Sequence, residues 1–266
     1  MPQIISAFNH DGAKFCEFPT PSKTITTSKT FFINNHTDFK MQRIIFNGQK
    51  GTCNPNIPKQ WDSVIIIEDG GSISNVILGE SPEGTAADVN CIGSCNLTNV
   101  WWEKACWRAA SFRATDEYNR LHANRDGDKK EYSYIVDGGG ALDGFQKIFD
   151  QSGPGKTIIK NFCTANSSIV LRTCGNCGHQ YTRHVAVKHS KFMGPGLTII
   201  GANTEFDDKV SFEDVSIYGY NNPKTKISFA CTEASGEDAK FTGYEPGKPG
   251  SGKTCTYKAE AVKVID

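Results

Sequence analysis

SVIIIEDGGSISNVIL (residues 63–78) reads as two apolar-alternating strands joined across a polar bend at Asn75. The same unit returns in CNLTNVWWE (95–103), TIIKNFCTA (157–165), HVAVKHSKF (184–192) and KVSFEDVSIYG (209–219). The bend residues are Asn75, Asn99, Asn161, His189 and Asp214. Twenty-four residues separate Asn75 from Asn99, 28 separate Asn161 from His189, and 25 separate His189 from Asp214. The 62-residue gap from Asn99 to Asn161 has room for one more coil, near YSYIVDGGG (132–140), and an insertion. Short β-branched strands repeating at such a period predict a solenoid of stacked coils. Asn side chains stacked at equivalent bends would hydrogen-bond their own and neighbouring backbone. A β-sandwich with evenly spaced turns is the other architecture. The recurring polar residue followed by Val favours an all-β, single-domain parallel β-helix over residues 1–266.

Composition narrows the functional class. The chain has 266 residues, with 29 Lys+Arg against 29 Asp+Glu, so net charge points to neither nucleic acid nor a membrane. No apolar run approaches the roughly 20 residues that span a bilayer. The N-terminus MPQIISAFNHDG lacks an apolar leader core, so a signal peptide has been removed or was never present. Ten cysteines fit disulfides made in an oxidising compartment. A zinc site is the alternative for Cys91/Cys95 and Cys174/Cys177. Three N-x-[ST] sequons, at Asn35, Asn96 and Asn166, are compatible with secretion.

The remaining segments are read by position. Residues 1–60 supply an N-terminal cap and first coils: an irregular entry over 1–22, then strands expected at 23–34 and 41–46. The charged stretch 113–133 is expected to leave the solenoid as a surface loop. The Gly/Pro-rich tail within 231–266 is a coil pinned by Cys255, with Cys231 as the suggested partner. GKPGSGK (247–253) has the flavour of a phosphate loop but lacks the strand before it and the helix after it. The stretch 91–113, CIGSCNLTNVWWEKACWRAASFR, holds three tryptophans. Trp101 and Trp102 are adjacent, so on a strand they face opposite ways. One must find a second environment, and a sugar-binding groove is a candidate.

CIGSCNLTNVWWE (91–103), GGGA (138–141) with FQKIFDQSG (145–153), and TIIKNFCTANSSIVLRTCGNC (157–177) with RHV (183–185) together resemble polysaccharide lyase family 3. These are the compact pectate lyases of bacteria, fungi and plant-parasitic nematodes. The similarity extends from about residue 62 to about 220. It implies a right-handed parallel β-helix, secretion as a monomer, and calcium-assisted β-elimination of polygalacturonate, an acidic plant polysaccharide. That reaction removes the C5 proton beside a uronate carboxylate and breaks the C4–O bond. Cations must therefore neutralise the carboxylate, and a base must sit at C5. The resemblance places the family's basic pair at Lys147, expected to be the base, and Arg172, expected to clamp the carboxylate, though the two roles can be exchanged. Arg113 falls where the family carries another basic groove residue.

The calcium positions diverge. Ala87 stands where the family has its first Asp, with Asp88 one place later as a displaced ligand. Trp107 and Arg108 replace a Glu-Asp pair. Three readings follow: Arg108 substitutes for the metal's charge, with Trp107 stacking on sugar, as in pectin lyases acting on methyl-esterified substrate; or the groove binds acidic glycan without cleaving it; or the solenoid serves host interaction.

Overall fold

The computed structural model describes residues 11–57, 63–113, 131–178, 180–236 and 240–266. Among them the chain winds into a right-handed parallel β-helix with two continuous sheets. One sheet, of nine strands, stacks Phe31–Ile33, Ser63–Ile67, Asp88–Cys91, Ala110–Phe112, Phe149–Gln151, Ile169–Thr173, Gly196–Asn203, Ile227–Ala234 and Phe241–Tyr244. The other, of twelve strands, carries bent strands such as Gly71–Gly79, Cys95–Trp102 and Tyr132–Gly144, whose two arms make two faces. Every pairing is parallel except that of Phe241–Tyr244 with Ile227–Ala234.

The bends are those the repeat predicts. Asn75, Asn99, Asn161, His189 and Asp214 have φ between 46° and 55°, and Gly138 takes the same corner in the coil over 132–140 with φ 76°. Asn tolerates this left-handed region better than most side chains. The corners are laced along the solenoid axis. Asn99 donates to Asn75 (2.8 Å), Asn75 to Asp38 (3.0 Å) and Asn161 to Asp137 (2.8 Å). His189 Nδ1 lies 3.3 Å from Asp214 Oδ2.

Inward residues form one core. Phe112 stacks on Tyr134 and on Phe149, with ring centroids 5.1 and 5.6 Å apart, and Trp102 meets Phe149 edge-on. The run SVIII over Ser63–Ile67 is buried at every position rather than alternately, as parallel strands covered on both sides are.

Several expectations are corrected. The entry segment contains a short helix, Asp11–Cys16, packed on the strand Cys163–Ser167. The strand expected over 23–34 is two, Lys23–Thr27 and Phe31–Ile33, and the next begins earlier, at His36. Cys91–Cys95 and Cys174–Cys177 are disulfides, which removes the zinc alternative. Cys231–Cys255 is bonded as the sequence suggested, and Cys53–Cys106 is the fourth bridge. Most of the charged stretch 113–133 lies outside the described residues.

Candidate active site

Strand alternation decides what faces out. In the nine-stranded sheet Val89, Ala110, Phe149 and Leu171 point inward and are fully buried. Their neighbours Asn90, Ser111, Asp150, Arg172 and Gly201 occupy one row, coil upon coil in register. Neighbouring members of such a row stand about 4.8 Å apart. Asp150 is fixed from two sides: Ser111 Oγ donates to its Oδ1 at 2.8 Å, and Arg108 Nε lies 3.2 Å from the same oxygen.

The turns flanking this row complete a cleft of about 390 Å³, lined by Arg108, Lys147, Asp150, Arg172, Thr173 and the Cys174–Cys177 loop, among others. Lys147 is delivered by the turn after Tyr132–Gly144, and its backbone N–H donates to the carbonyl of Trp107 at 3.3 Å. Arg108 follows Cys106, which is left-handed (φ 56°) and tied to Cys53. The opposite wall is held by Arg183, fully buried, whose guanidinium donates to the carbonyls of Ser152 (2.6 Å), Cys174 (3.2 Å) and Tyr181 (3.2 Å). Beneath it, burial pushes the Asp208 carboxyl up, while Thr173 and Arg183 pull the other way. A second hollow of about 190 Å³ shares Arg172, Thr173 and Gly175, and adds Leu197, Gly201 and Phe241. The groove therefore continues past Arg172 onto an apolar floor.

Of the residues the sequence singles out, Lys147, Arg172 and Arg108 meet in the cleft. Arg113 is buried behind it and donates to Ser111 Oγ at 3.2 Å, bracing the hydroxyl that holds Asp150. Trp107 packs edge-on against Phe145 at 5.1 Å and does not line the cleft. Asp88 is 1 % exposed, in the strand two coils from Asp150. Trp101 lies away from this cleft: its ring packs on Phe18 at 4.8 Å, its indole N–H donates to Asn99 (2.7 Å), and it borders a separate hollow of about 550 Å³ with Cys16, Gly139 and Cys163. Sequence reasoning missed Asp150 and Ser111. The inside–outside alternation of FQKIFDQ, with Phe149 apolar and Asp150 next to it, was the available signal.

The implied calcium can be tested on donor chemistry. Among the described residues, no three His, Cys, Asp or Glu side chains are grouped to hold a metal ion. The one carboxylate that the described residues give the cleft, Asp150, is already held by a guanidinium and a hydroxyl. A hard dication takes six or more oxygens, and this donor set does not fit one.

Comparison with known proteins accords with this geometry. The family model described as pectate lyase matches residues 16–239. Probable pectate lyase E of Aspergillus flavus is 32% identical over 200 residues, covering 74% of this chain and 66% of that protein. Probable pectate lyase D of Emericella nidulans is 29% identical over 197 residues, and the chain spans 65% of its length. The catalytic domain of pectate lyase PelI from Erwinia chrysanthemi superposes with a TM-score of 0.65 at 19% identity, covering 92% of this chain and 98% of that one. PelI has also been solved in complex with tetragalacturonic acid, and that structure superposes with a TM-score of 0.63 at 20% identity, covering 92% of this chain and 71% of that one. No helix among the described residues is long and apolar enough to cross a membrane. A parallel β-helix with a basic cleft on its outward row, matched over 16–239, places this chain in the pectate lyase family.

Proposed function

We propose that the protein is a secreted pectate lyase that cleaves polygalacturonate by β-elimination, with guanidinium groups in place of a metal. The observation that carries this reading is the convergence of Lys147, Arg172 and Arg108 on one cleft. The uronate carboxylate lies against Arg172, whose planar fork suits a carboxylate. Lys147 takes the C5 proton, acting in its neutral amine form. The electron pair becomes the C4–C5 double bond, the C4–O bond breaks, and the leaving oxygen takes a proton from solvent water. Arg108, anchored by Asp150, adds the positive potential that the developing charge requires. Four disulfides fit passage through an oxidising compartment.

The test is ultraviolet absorbance of unsaturated product from polygalacturonate and from highly methylated pectin, each with calcium and with chelator. Product from polygalacturonate that survives the chelator is expected. Product only with calcium would place a metal in the cleft and overturn the role given to Arg108. Product from methylated pectin alone would move the substrate towards the esterified polymer. Folded protein that yields none would leave a glycan-binding groove.

A further inference from the structure

Eight of the ten cysteines are paired, and the remaining two, Cys16 and Cys163, touch each other. Cys16 closes the helix Asp11–Cys16, and Cys163 opens the strand Cys163–Ser167. Cys163 faces outward from the solenoid: an ideal Cβ on its neighbour Gly140 would stand 2.7 Å from its Sγ. The helix lies directly on that surface. A Cβ on Gly12 would stand 2.8 Å from Cβ of Ala165 and 3.2 Å from Leu142. Cys16, Leu142, Cys163 and Ala165 make a small separate core, against which Phe15, Phe18, Trp101 and Met193 pack. Within it Cys163 Sγ is 3.6 Å from the carbonyl oxygen of Cys16 and 3.7 Å from that of Gly139, and the proximity of Cys163 adds to burial in pushing the Cys16 thiol up. They are 2 % and 5 % exposed.

We infer that Cys16 and Cys163 form a fifth disulfide in the mature protein, a covalent clamp that holds the N-terminal helix over Trp101. A thiol pair brought together by packing needs only an oxidant. The chemistry balances with a low-molecular-weight disulfide such as oxidised glutathione. One cysteine thiolate attacks it and releases one glutathione thiolate. The second cysteine thiolate attacks the mixed disulfide and releases the other. Two protein thiols are oxidised, one external disulfide is reduced, and the two protons end on the two glutathione molecules. Burial pushes the Cys16 thiol far up, so the docked thiol does not ionise. The bond therefore forms before the helix settles or while it is lifted, and once buried it is shielded from reductant. This inference does not depend on the proposed activity.

The experiment uses the full chain, equilibrated in a glutathione redox buffer, then denatured without reductant in excess iodoacetamide. Intact mass and peptide mapping are expected to show no alkylated cysteine and a linked Cys16–Cys163 peptide. Two alkyl groups, on Cys16 and Cys163, overturn the inference, as does a bond from either to another cysteine. The variant Cys163→Ser is expected to gain one alkyl group, on Cys16, and to melt roughly 5–10 °C lower. Should that variant not fold, the wild-type map decides alone.

Discussion

Lys147 shares its cleft with Arg172 and Arg108. If its amine is the base, Lys147→Ala lowers kcat by about 10²–10⁴-fold, the usual worth of a positioned proton acceptor. KM and melting temperature change little, because the side chain is half-buried at a turn. An unchanged kcat in the folded variant would remove the assignment. Gly139 is constrained by space rather than chemistry. Its φ is 98°, and an added Cβ would fall 2.0 Å from the carbonyl oxygen of Val100 in the coil below. Gly139→Ala is therefore expected to cost upwards of about 2 kcal/mol, since backbone must move to admit the methyl, and a melting curve reads the loss. The GGGA segment is thus a packing requirement: Gly138 makes the corner, Gly139 admits the neighbouring backbone, and Gly140 leaves room for the Trp101 ring.

The ladders at the corners join one coil to the next through side chains, and they titrate. The Asp38 carboxyl is held below its ordinary range chiefly by Asn75, and Asp214 chiefly by Lys263. At Asp137 burial pulls upward, but hydrogen bonds from Lys160 and Asn161 override it. A carboxyl lowered by folding adds stability that is complete above its unfolded value of about 3.9. That stability is lost as pH falls through the lower folded values. The melting temperature should thus be flat down to about pH 4 and drop below it, and the triple Asp→Asn variant should flatten the drop. A wild-type curve without an acid limb would show the ladders to be energetically idle. These elements were legible in the sequence because one polar residue, followed by Val at Asn75, Asn99 and Asp214, marks each corner. The short helix Asp11–Cys16 was not, because six residues carry too little periodicity to announce a helix and its stability comes from tertiary contact. Of the cleft, the basic residues were readable from their motifs. Asp150 was not, since its role arises only when Ser111 and Arg108, from the preceding coil, are stacked against it.

On the scale of the molecule, buried charges tie distant coils together. Arg43 reaches across Gly79 to Glu103, with Nε–Oε1 2.7 Å and Nη2–Oε2 2.5 Å, and the side chains are 8 % and 7 % exposed. Glu103 Oε2 also accepts the backbone N–H of Glu80 at 2.9 Å, so one carboxylate serves three coils. Arg43→Met leaves that carboxylate buried without its cation and should cost about 3–5 kcal/mol. Adding Glu103→Met should recover part of the loss, and equal loss in the single and double variants would contradict this coupling. The solenoid's far end has a different significance. Phe241–Tyr244 runs against the direction of every other strand in its sheet. Parallel and antiparallel edges offer different hydrogen-bond patterns, so a coil from another molecule finds no matching template there. A sheet that is otherwise a natural seed for end-to-end growth thus closes on a strand of opposite polarity, a terminator built into the fold.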